Sequence, residues 1–419
     1  MNKIALYLLM LFLAVPLYAA PLRETSIPNG FGVNVHFLGK AEDHIKLLKE
    51  AGFGWVRKDF DWASIEKERG EYNFEKYDTF VNAMNDAGIK VLLILNYRNP
   101  LYDSNLSPYT NIGRRAFAGF AEAAAKHYAN NDVAWEIYNE PNWGFWKPTP
   151  KVEDYIELAR VVTRALKRAA PHQPILAPAL AGPTSDQSKK EASYTYLNAV
   201  LNDPIARQWD AISIHPYCTP KKPECIFNET SRLNALLTKH GIRAPYIFSE
   251  WGYHTADTKG VSEDMQAAYA ARAFLITSSM RMPFSIWYDW QDTSDDTSDG
   301  EHNYGLLHYN MLDSDSDETR KPAFHAIREL GQALNGYRFD KIISHTNGIY
   351  GLRFKKGRNL AYALWTSEIE TQPYQLALPA GRWQVATLLS NSVVIDVKDK
   401  QPLALQLQAM PLIVSRVIK

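Results

Sequence analysis

The sequence has 419 residues, of which 46% are hydrophobic and 22% are charged. Lys and Arg together number 46, as do Asp and Glu, so the formal net charge is zero. This composition is typical of a globular protein with a large core and room for a second small domain. The balanced charge lacks the basic bias typical of nucleic-acid binding, and no long run of one charge predicts an interaction tail.

The first 20 residues have the pattern of a signal peptide. Lys3 is a positive n-region, residues 4–15 form a short apolar stretch, and residues 17–20 (Leu-Tyr-Ala-Ala) resemble a cleavage site. We therefore predict a periplasmic or secreted protein without stable membrane insertion after cleavage. The alternative is an uncleaved anchor, for which the apolar stretch is short.

The chain has two cysteines, Cys218 and Cys225. In an exported protein, a closely spaced pair predicts a disulfide. The alternative is two free thiols. The spacing is not that of a CxxC metal motif, and we expect no metal site there.

Short apolar runs alternate with longer amphipathic segments up to about residue 335. In one of these segments Tyr77, Phe80, Val81 and Met84 recur at i, i+3, i+4 and i+7, the spacing of a buried helix face. The predicted strands are residues 31–37, 55–62, 91–97, 135–139, 175–180, 211–217, 246–250 and 284–290. Eight strand–helix units predict an α/β fold, a (β/α)8 TIM barrel over residues 21–335.

The pattern changes at residue 336. Short alternating segments follow, separated by turn residues and with no helical pattern between them. The predicted strands are residues 348–353, 360–365, 374–378, 383–389, 393–397, 403–407 and 412–417. We predict a small all-β, sandwich-like domain over residues 336–419.

Two glutamates end predicted barrel strands. Glu140 follows strand 4 and Glu250 follows strand 7, at the face where barrel enzymes place their active sites. A pair of facing carboxylates is the machinery of glycoside hydrolysis, because one protonates the leaving oxygen while the other attacks the anomeric carbon or activates water. Further polar or aromatic residues lie at the corresponding ends of strands 2, 3, 4, 6 and 8: Arg57, Asp61, Asn96, Tyr97, Asn139, His215, Tyr217, Trp287, Asp289 and Trp290.

These residues resemble the motifs of clan A glycoside hydrolases, and most of all family 39, including bacterial exopolysaccharide glycosidases. The matching stretches are residues 54–57 (Gly-Trp-Val-Arg), 70–72 (Gly-Glu-Tyr), 138–141 (Tyr-Asn-Glu-Pro), 215–217 (His-Pro-Tyr), 249–252 (Ser-Glu-Trp-Gly), 287–289 (Trp-Tyr-Asp), 301–306 (Glu-His-Asn-Tyr-Gly-Leu) and 321–323 (Lys-Pro-Ala). The resemblance covers roughly residues 30–330, and a terminal β-domain also suits family 39.

The resemblance implies a retaining mechanism with Glu140 as the general acid/base and Glu250 as the nucleophile. It also implies that Asn139 binds the sugar 2-hydroxyl and that Trp287 forms the floor under the reacting sugar. The substrate-binding residues that we predict are Arg57, Tyr97, Asn139, Trp146, His215, Tyr217, Trp251 and Trp287, with Trp143 as a weaker candidate. The carboxylate mechanism requires no cofactor, and we predict none and no metal.

An acidic loop, residues 292–301, follows strand 8. It does not match the EF-hand pattern, and a solvated surface loop is favoured over a site for a cation or a cationic sugar.

We therefore predict a retaining glycosidase that cleaves a polysaccharide internally, with bacterial exopolysaccharide as the favoured substrate and the exopolysaccharide export machinery as a candidate partner. The alternatives are an exo-acting β-xylosidase-like enzyme, a transglycosylase, and a catalytically weak carbohydrate-binding protein. Wide separation of the two carboxylates would favour the binding protein.

Overall fold

The structure is a computed structural model that describes residues 22–183, 186–309, 317–398 and 401–417. The predicted signal peptide, residues 1–20, lies outside the described residues. Within the described ranges, no helix is both long and apolar enough to cross a membrane.

Eight parallel strands form one sheet with the order β7-β6-β5-β4-β3-β2-β1-β8. A parallel bridge between Trp251 and Trp287 connects the chain after β7 to β8 and closes the ring. The strands are β1 Phe31–Asn34, β2 Trp55–Asp61, β3 Lys90–Asn96, β4 Val133–Ile137, β5 Ile175–Ala181, β6 Ala211–His215, β7 Tyr246–Phe248 and β8 Ser285–Trp287. Each lies inside a predicted strand or within one or two residues of it, and the predicted TIM barrel is confirmed.

Helices surround this barrel because their apolar faces bury against the strands. In α3 the predicted face is confirmed, since Tyr77, Phe80, Val81 and Met84 are its buried residues. The helices are α1 Ala41–Ala51, α2 Trp62–Ile65, α3 Glu75–Asp86, α4 Asn111–His127, α5 Val152–Ala169, α6 Gln187–Asn202, α7 Phe227–Lys239, α8 Glu263–Ser279 and α9 Pro322–Ala333.

The inside of the barrel changes from apolar to polar along the strands. One end is filled by an apolar cluster that includes Trp55 of β2 and Ala134 of β4. Two residues later on the same strands come Arg57 and Glu136, which face the same way because side chains alternate along a strand. Both are buried, as are the polar residues Ser213, His215 and Ser249 at corresponding points of other strands. This layer places the polar chemistry at the C-terminal ends of the strands.

The C-terminal region is antiparallel and contains no helix among its described residues. Six strands form a sheet with the order β14-β13-β16-β11-β10-β9, and β12 pairs with β15 in a second sheet. An apolar cluster formed by side chains of both sheets packs between them, as predicted for a sandwich-like region. The strands are β9 Arg338–Thr346, β10 Ile349–Lys356, β11 Asn359–Thr366, β12 Gln372–Leu376, β13 Gly381–Thr387, β14 Ser392–Val397, β15 Leu403–Leu407 and β16 Leu412–Arg416.

The sequence analysis missed β9. Its residues show no regular alternation of buried and exposed positions, and its pairing with β10 contains two register irregularities. A period-two pattern is the signal on which strand prediction depends, and β9 lacks it.

A buried joint connects the barrel to the C-terminal sheets. Cys218 and Cys225 form the predicted disulfide, and the residue beside it, Glu224, accepts a hydrogen bond from Arg272 Nε of α8 at 2.6 Å. The indole of Trp365 on β11 donates to the same carboxylate at 2.7 Å. Because Arg272 is fully buried, its ion pair with Glu224 is shielded from solvent, and loss of either partner would leave an uncompensated charge.

Candidate active site

A cavity of about 640 Å³ lies at the C-terminal ends of the barrel strands. Seven of the ten predicted site residues line it, and they come from five different strands or the loops directly after them. These residues are Arg57, Tyr97, Asn139, Glu140, His215, Tyr217 and Glu250.

Glu140 lies in a turn with an unusual backbone after β4. Glu140 and Tyr138 both have positive φ values, 46° and 69°, in the left-handed region that residues other than glycine rarely adopt. The Glu140 amide donates to Ala179 of β5 at 2.9 Å, which fixes the turn against the next strand. Strained backbone of this kind is concentrated at functional sites. Here it places the Glu140 carboxyl in the cavity wall, with 12% of the side chain exposed.

Glu250 follows β7 and is fixed by two strong donors. Its Oε2 accepts from Arg57 Nη1 at 2.6 Å, and its Oε1 accepts from the Tyr217 hydroxyl at 2.7 Å. These bonds orient the carboxylate and stabilise its negative charge. One carboxylate oxygen of Glu250 lies within 4.8 Å of one of Glu140. Retaining glycosidases separate their two carboxyl groups by about 5–5.5 Å and inverting ones by about 6.5–9.5 Å.

Arg57 is the centre of the hydrogen-bond network, and each of its five N–H groups has an acceptor. Beyond Glu250, Nε donates to Glu136 Oε2 at 2.7 Å. Nη1 also donates to Asn34 Oδ1 at 3.2 Å. Nη2 donates to Asn139 Oδ1 at 2.7 Å and contacts His215 Nε2 at 3.3 Å. A guanidinium has no lone pair to offer, so His215 Nε2 must be the acceptor in the last contact.

The tautomer of His215 follows from that contact. Burial, with a further contribution from Arg57, lowers the pKa of His215 to about 4, against the attraction of Glu250, so the ring is neutral at pH 7. With Nε2 as acceptor, the single proton is on Nδ1, which lies 2.9 Å from Glu140 Oε1. His215 therefore donates to Oε1 of Glu140, and Oε2 is left for the proton that a general acid delivers.

The environment of Glu140 favours its protonated form. Burial raises the pKa of Glu140 to about 7 from its ordinary 4.5; Arg57 lowers it and the negative charge of Glu136 raises it. Because Arg57 already interacts directly with Glu136 and Glu250, it offsets only part of the cost of burying a third negative charge. At neutral pH a large fraction of Glu140 carries a proton beside the ion-paired Glu250.

The match to a known family decides the class of this site. The family model described as Cellulase (glycosyl hydrolase family 5) matches residues 20–293, well over half of the chain. The chain belongs to this family. The predicted clan, clan A, and the predicted enzyme class, a retaining O-glycosidase, are thereby confirmed.

Solved structures of clan A enzymes share the fold of this family 5 glycosidase. A family 39 glycoside hydrolase from Bacteroides cellulosilyticus WH2 is 24% identical, with a TM-score of 0.77 over 93% of this chain and 81% of that one. A monomeric beta-xylosidase from Caulobacter crescentus CB15 is 15% identical, with a TM-score of 0.65 over 94% and 97%. A GH30 endoxylanase from Clostridium papyrosolvens C71 is 13% identical, with a TM-score of 0.62 over 94% and 98%. No curated protein matches the chain.

Three predicted substrate-binding residues lie outside the cavity of this glycosidase. Trp146, Trp251 and Trp287 are at most 1% exposed. Trp146 packs against Tyr138, with ring centroids 5.0 Å apart. The predicted floor residue, Trp287, lies in the core, and the structure instead places the next residue, Tyr288, in the cavity wall. The prediction was therefore wrong by one residue, because consecutive side chains of an extended segment point to opposite sides.

Several cavity residues were not predicted. They are mostly polar or aromatic groups on or just after β1 and β2 and in the segments that follow β4, β5, β6 and β8: Asn34, His36, Asp59, Phe145, Asp186, Lys189, Ser193, Thr219, Tyr288, Glu301 and Tyr304. Asn34 and Asp59 carry a detectable signal, because each is a polar residue on a strand that is otherwise largely buried. The loop residues carry no such local signal, since their positions depend on how the loops fold back over the barrel. Tyr288, Glu301 and Tyr304 do lie in stretches that the family resemblance covers.

The acidic loop is only partly a surface loop. Asp292 is buried and pairs with Lys321 Nζ at 2.7 Å, while Glu301 lines the cavity. Asp296 and Asp299 are exposed and accept hydrogen bonds from backbone amides of the loop itself. The loop is thus solvated as expected except at Asp292, since Glu301 is exposed although it lines the cavity.

Within the described part of the chain, one cluster contains three potential metal ligands, namely Glu140, His215 and Glu250. It does not suit a cation. The Nδ1 atom of His215 carries its proton toward Glu140, and the Arg57 guanidinium already contacts Glu250 at 2.6 Å. A metal needs lone pairs from its ligands, and this arrangement presents donors and a positive charge.

Proposed function

We propose that this family 5 glycosidase cleaves a polysaccharide internally by double displacement, with Glu140 as acid/base and Glu250 as nucleophile. One observation carries the assignment. The carboxyl groups of Glu140 and Glu250 have oxygens within 4.8 Å of each other but lie in different environments. Burial favours the protonated form of Glu140, whereas Glu250 accepts a hydrogen bond from the Arg57 guanidinium. By placing two carboxyl groups in different environments, glycosidases make one of them an acid and the other a nucleophile.

In the first step, Glu140 gives its Oε2 proton to the glycosidic oxygen while a Glu250 oxygen attacks the anomeric carbon. The C–O bond to the leaving group breaks, and a covalent glycosyl–Glu250 ester forms. Arg57 and Tyr217 fix the attacking carboxylate, so that little reorganisation is needed as its charge is consumed.

In the second step, Glu140 is a carboxylate and takes a proton from water. The water oxygen attacks the anomeric carbon, the ester bond to Glu250 breaks, and the product leaves with retained configuration. Glu140 is protonated again and ready for the next cycle. Throughout, the His215 Nδ1–H bond to Oε1 keeps the carboxyl group in one orientation.

We propose Asn139 as a direct contact of the substrate. Its Oδ1 accepts from Arg57 at 2.7 Å, which assigns the amide orientation and leaves the Nδ2 donor for a sugar hydroxyl. We propose the 2-hydroxyl as its partner, a contact that strengthens in the oxocarbenium-like transition state.

Internal cleavage requires residues that contact sugars on both sides of the carboxylate pair, and the cavity has lining residues on both sides. Residues of β1, β2 and the β8 loop line one side, and residues of the loops after β4 and β5 line the other. Exo action on a xyloside is the alternative. Among the structural neighbours, one is named a beta-xylosidase and another an endoxylanase.

We propose bacterial exopolysaccharide as the substrate, the periplasm or the cell exterior as the location, and the export machinery as a candidate partner. The signal peptide predicted for residues 1–20 supports an exported enzyme. The separation of the two carboxyl groups offers no support for a catalytically inactive binding protein.

The test is reducing-end release by the purified protein from bacterial exopolysaccharides, plant β-glycans and aryl β-glycosides, with Glu140→Gln and Glu250→Gln as controls. Mixed oligosaccharides from a polymer, absent with both variants, support the proposal. Release from aryl glycosides alone supports the exo enzyme, and new glycosides formed at high acceptor concentration support a transglycosylase. Unchanged activity of the Glu250→Gln variant would refute the assignment of the nucleophile.

A further inference from the structure

The two sides of the cavity carry different charged groups, with Lys189 and the helix-capping Asp186 on the β4–β5 side and two carboxylates with His36 on the other. In this strand order β4 and β5 lie across the barrel from β8 and β1. The β8–β1–β2 side presents the carboxylates Asp59 and Glu301. Burial and the negative charges of Asp289, Glu250 and Glu301 raise the pKa of the Tyr288 hydroxyl, which lies on the same side.

The β4–β5 side carries exposed aromatic rings. Trp143 is 46% exposed and Phe145 is 44% exposed, and both line the cavity. Phe145 stacks on Tyr97 with ring centroids 5.3 Å apart and an interplanar angle of 12°. Large exposed rings in a cavity wall are suited to the apolar faces of sugar rings.

A lysine lies beside these rings. The ammonium of Lys189, in the first turn of α6, is 5.0 Å from the centroid of the Trp143 ring, and Lys189 also lines the cavity. Across the described ranges, no carboxylate lies within ion-pair distance of that ammonium. Asp186, at the start of the same helix, caps it by accepting from the amides of Ser188 and Lys189.

Hydrogen bonds of the backbone and of Asn142 connect the β4–β5 side of the cavity to the turn that carries Glu140. The Trp143 amide donates to the Glu140 carbonyl at 2.9 Å, so Trp143 belongs to the turn directly after the proposed acid. Asn142 joins that turn to β5, accepting from the Ala181 amide and donating to the Ala181 carbonyl, both at 2.9 Å. Because the acid must reach the glycosidic oxygen, the turn that carries it flanks the leaving group.

We infer that Trp143 and Lys189 form a leaving-group subsite for a sugar that carries a carboxylate, a hexuronate residue of the polysaccharide. The sugar ring contacts the exposed part of the Trp143 side chain, and its carboxylate pairs with the Lys189 ammonium that lies over the same ring. The opposite side of the cavity repels the same charge and accepts a neutral sugar. The preferred cleavage point is then the bond between a neutral glycone and a uronate. This inference rests on the proposed function, because the proposed acid defines which side holds the leaving group.

The test is calorimetric titration of the Glu250→Gln protein with two forms of one oligosaccharide. One form alternates neutral hexose and hexuronate, and the other is its carboxyl-reduced form, in which each carboxylate is an alcohol. We expect the acidic form to bind about tenfold more tightly at low salt, the effect of one charge-assisted contact. Adding Lys189→Gln should remove this preference, and Lys189→Arg should keep it.

The matched control is Lys190→Gln, which removes the same charge from the neighbouring position. Lys190 pairs with Glu229 at 2.5 Å and does not line the cavity, so its loss should leave the preference unchanged. Equal affinity for the two forms, no binding of either form, or an equal effect of the two lysine variants would overturn the inference. Hydrolysis is measured separately with the wild type: binding with preference but no cleavage would refute the proposed function alone.

Discussion

Glu140→Gln is expected to stabilise the folded protein at neutral and alkaline pH, although it removes the proposed catalytic acid. The Glu140 side chain is 12% exposed, and burial is the main reason that its pKa is raised to about 7. Between pH 4.5, the ordinary pKa of a glutamate, and about pH 7, the unfolded chain has released this proton while the folded protein retains it. The folded protein therefore has its full stability below about pH 4.5 and loses part of it as the pH rises through 7.

The size of the loss follows from the pKa difference. From 4.5 to about 7 the pKa of Glu140 rises by 2.5 units, and at 1.36 kcal/mol per unit this corresponds to about 3 kcal/mol at pH 8. The glutamine side chain of the variant is uncharged at every pH and keeps a carbonyl oxygen for the His215 Nδ1–H bond. The free energy of unfolding of the variant, minus that of the wild type, should rise by this amount between about pH 4 and pH 8.

The assay is urea-induced unfolding of both proteins at intervals across that pH range. Glu122→Gln is the matched control with the opposite sign, because hydrogen bonds from Lys126 and Arg168 lower the pKa of Glu122. That variant should lose stability relative to the wild type as the pH rises to about 4.5, the ordinary pKa, and the difference should stay constant from there to pH 8. A difference between the Glu140→Gln variant and the wild type that does not change with pH would refute the reasoning, since it would mean that Glu140 titrates alike in both states.

Three further measurements test other parts of the molecule. In a pH–rate profile, kcat/KM of the wild type should fall about tenfold per pH unit above about 7, as Glu140 loses its proton, and a profile still rising at pH 9 would contradict this. Arg272→Met should lower the free energy of unfolding by about 3–5 kcal/mol, because Glu224 is left buried without its partner; a change below about 1 kcal/mol in chemical denaturation would count against it. Tyr288→Ala should lower kcat/KM with little loss of stability, whereas Trp287→Ala should cost about 3–5 kcal/mol of stability, a contrast that paired kinetics and melting curves test.

The barrel and the carboxylate pair were predictable because both leave local marks on the sequence. Parallel strands buried on both faces appear as apolar runs, and a polar residue at the end of such a run marks the functional face of a barrel. Glu140 and Glu250 each end a run, and their placement needs no knowledge of loops. The same reasoning located Arg57 and His215, which lie on the strands themselves.

The rest of the cavity depends on information that is not local. Whether Trp287 or Tyr288 faces the cavity is decided by the direction of the chain after β8, where the regular strand has ended. Lys189 and Trp143 are 46 residues apart in sequence and meet because Asn142 ties the β4 loop to the end of β5. No single-sequence pattern reports such a contact.

Glu136 shows how a residue that does not line the cavity can contribute to the protonation state of one that does. Its fully buried carboxylate bonds to Arg57 Nε at 2.7 Å, and despite the cost of burial the charge of Arg57 lowers the pKa of Glu136. Glu136 and Glu250 together balance more than the single positive charge of Arg57. A third carboxylate therefore stays negative only at a high electrostatic cost, and Glu140 retains its proton. The proposed division of roles between acid and nucleophile thus rests on burial of Glu140 and, in smaller part, on a third glutamate placed one polar layer deeper in the barrel.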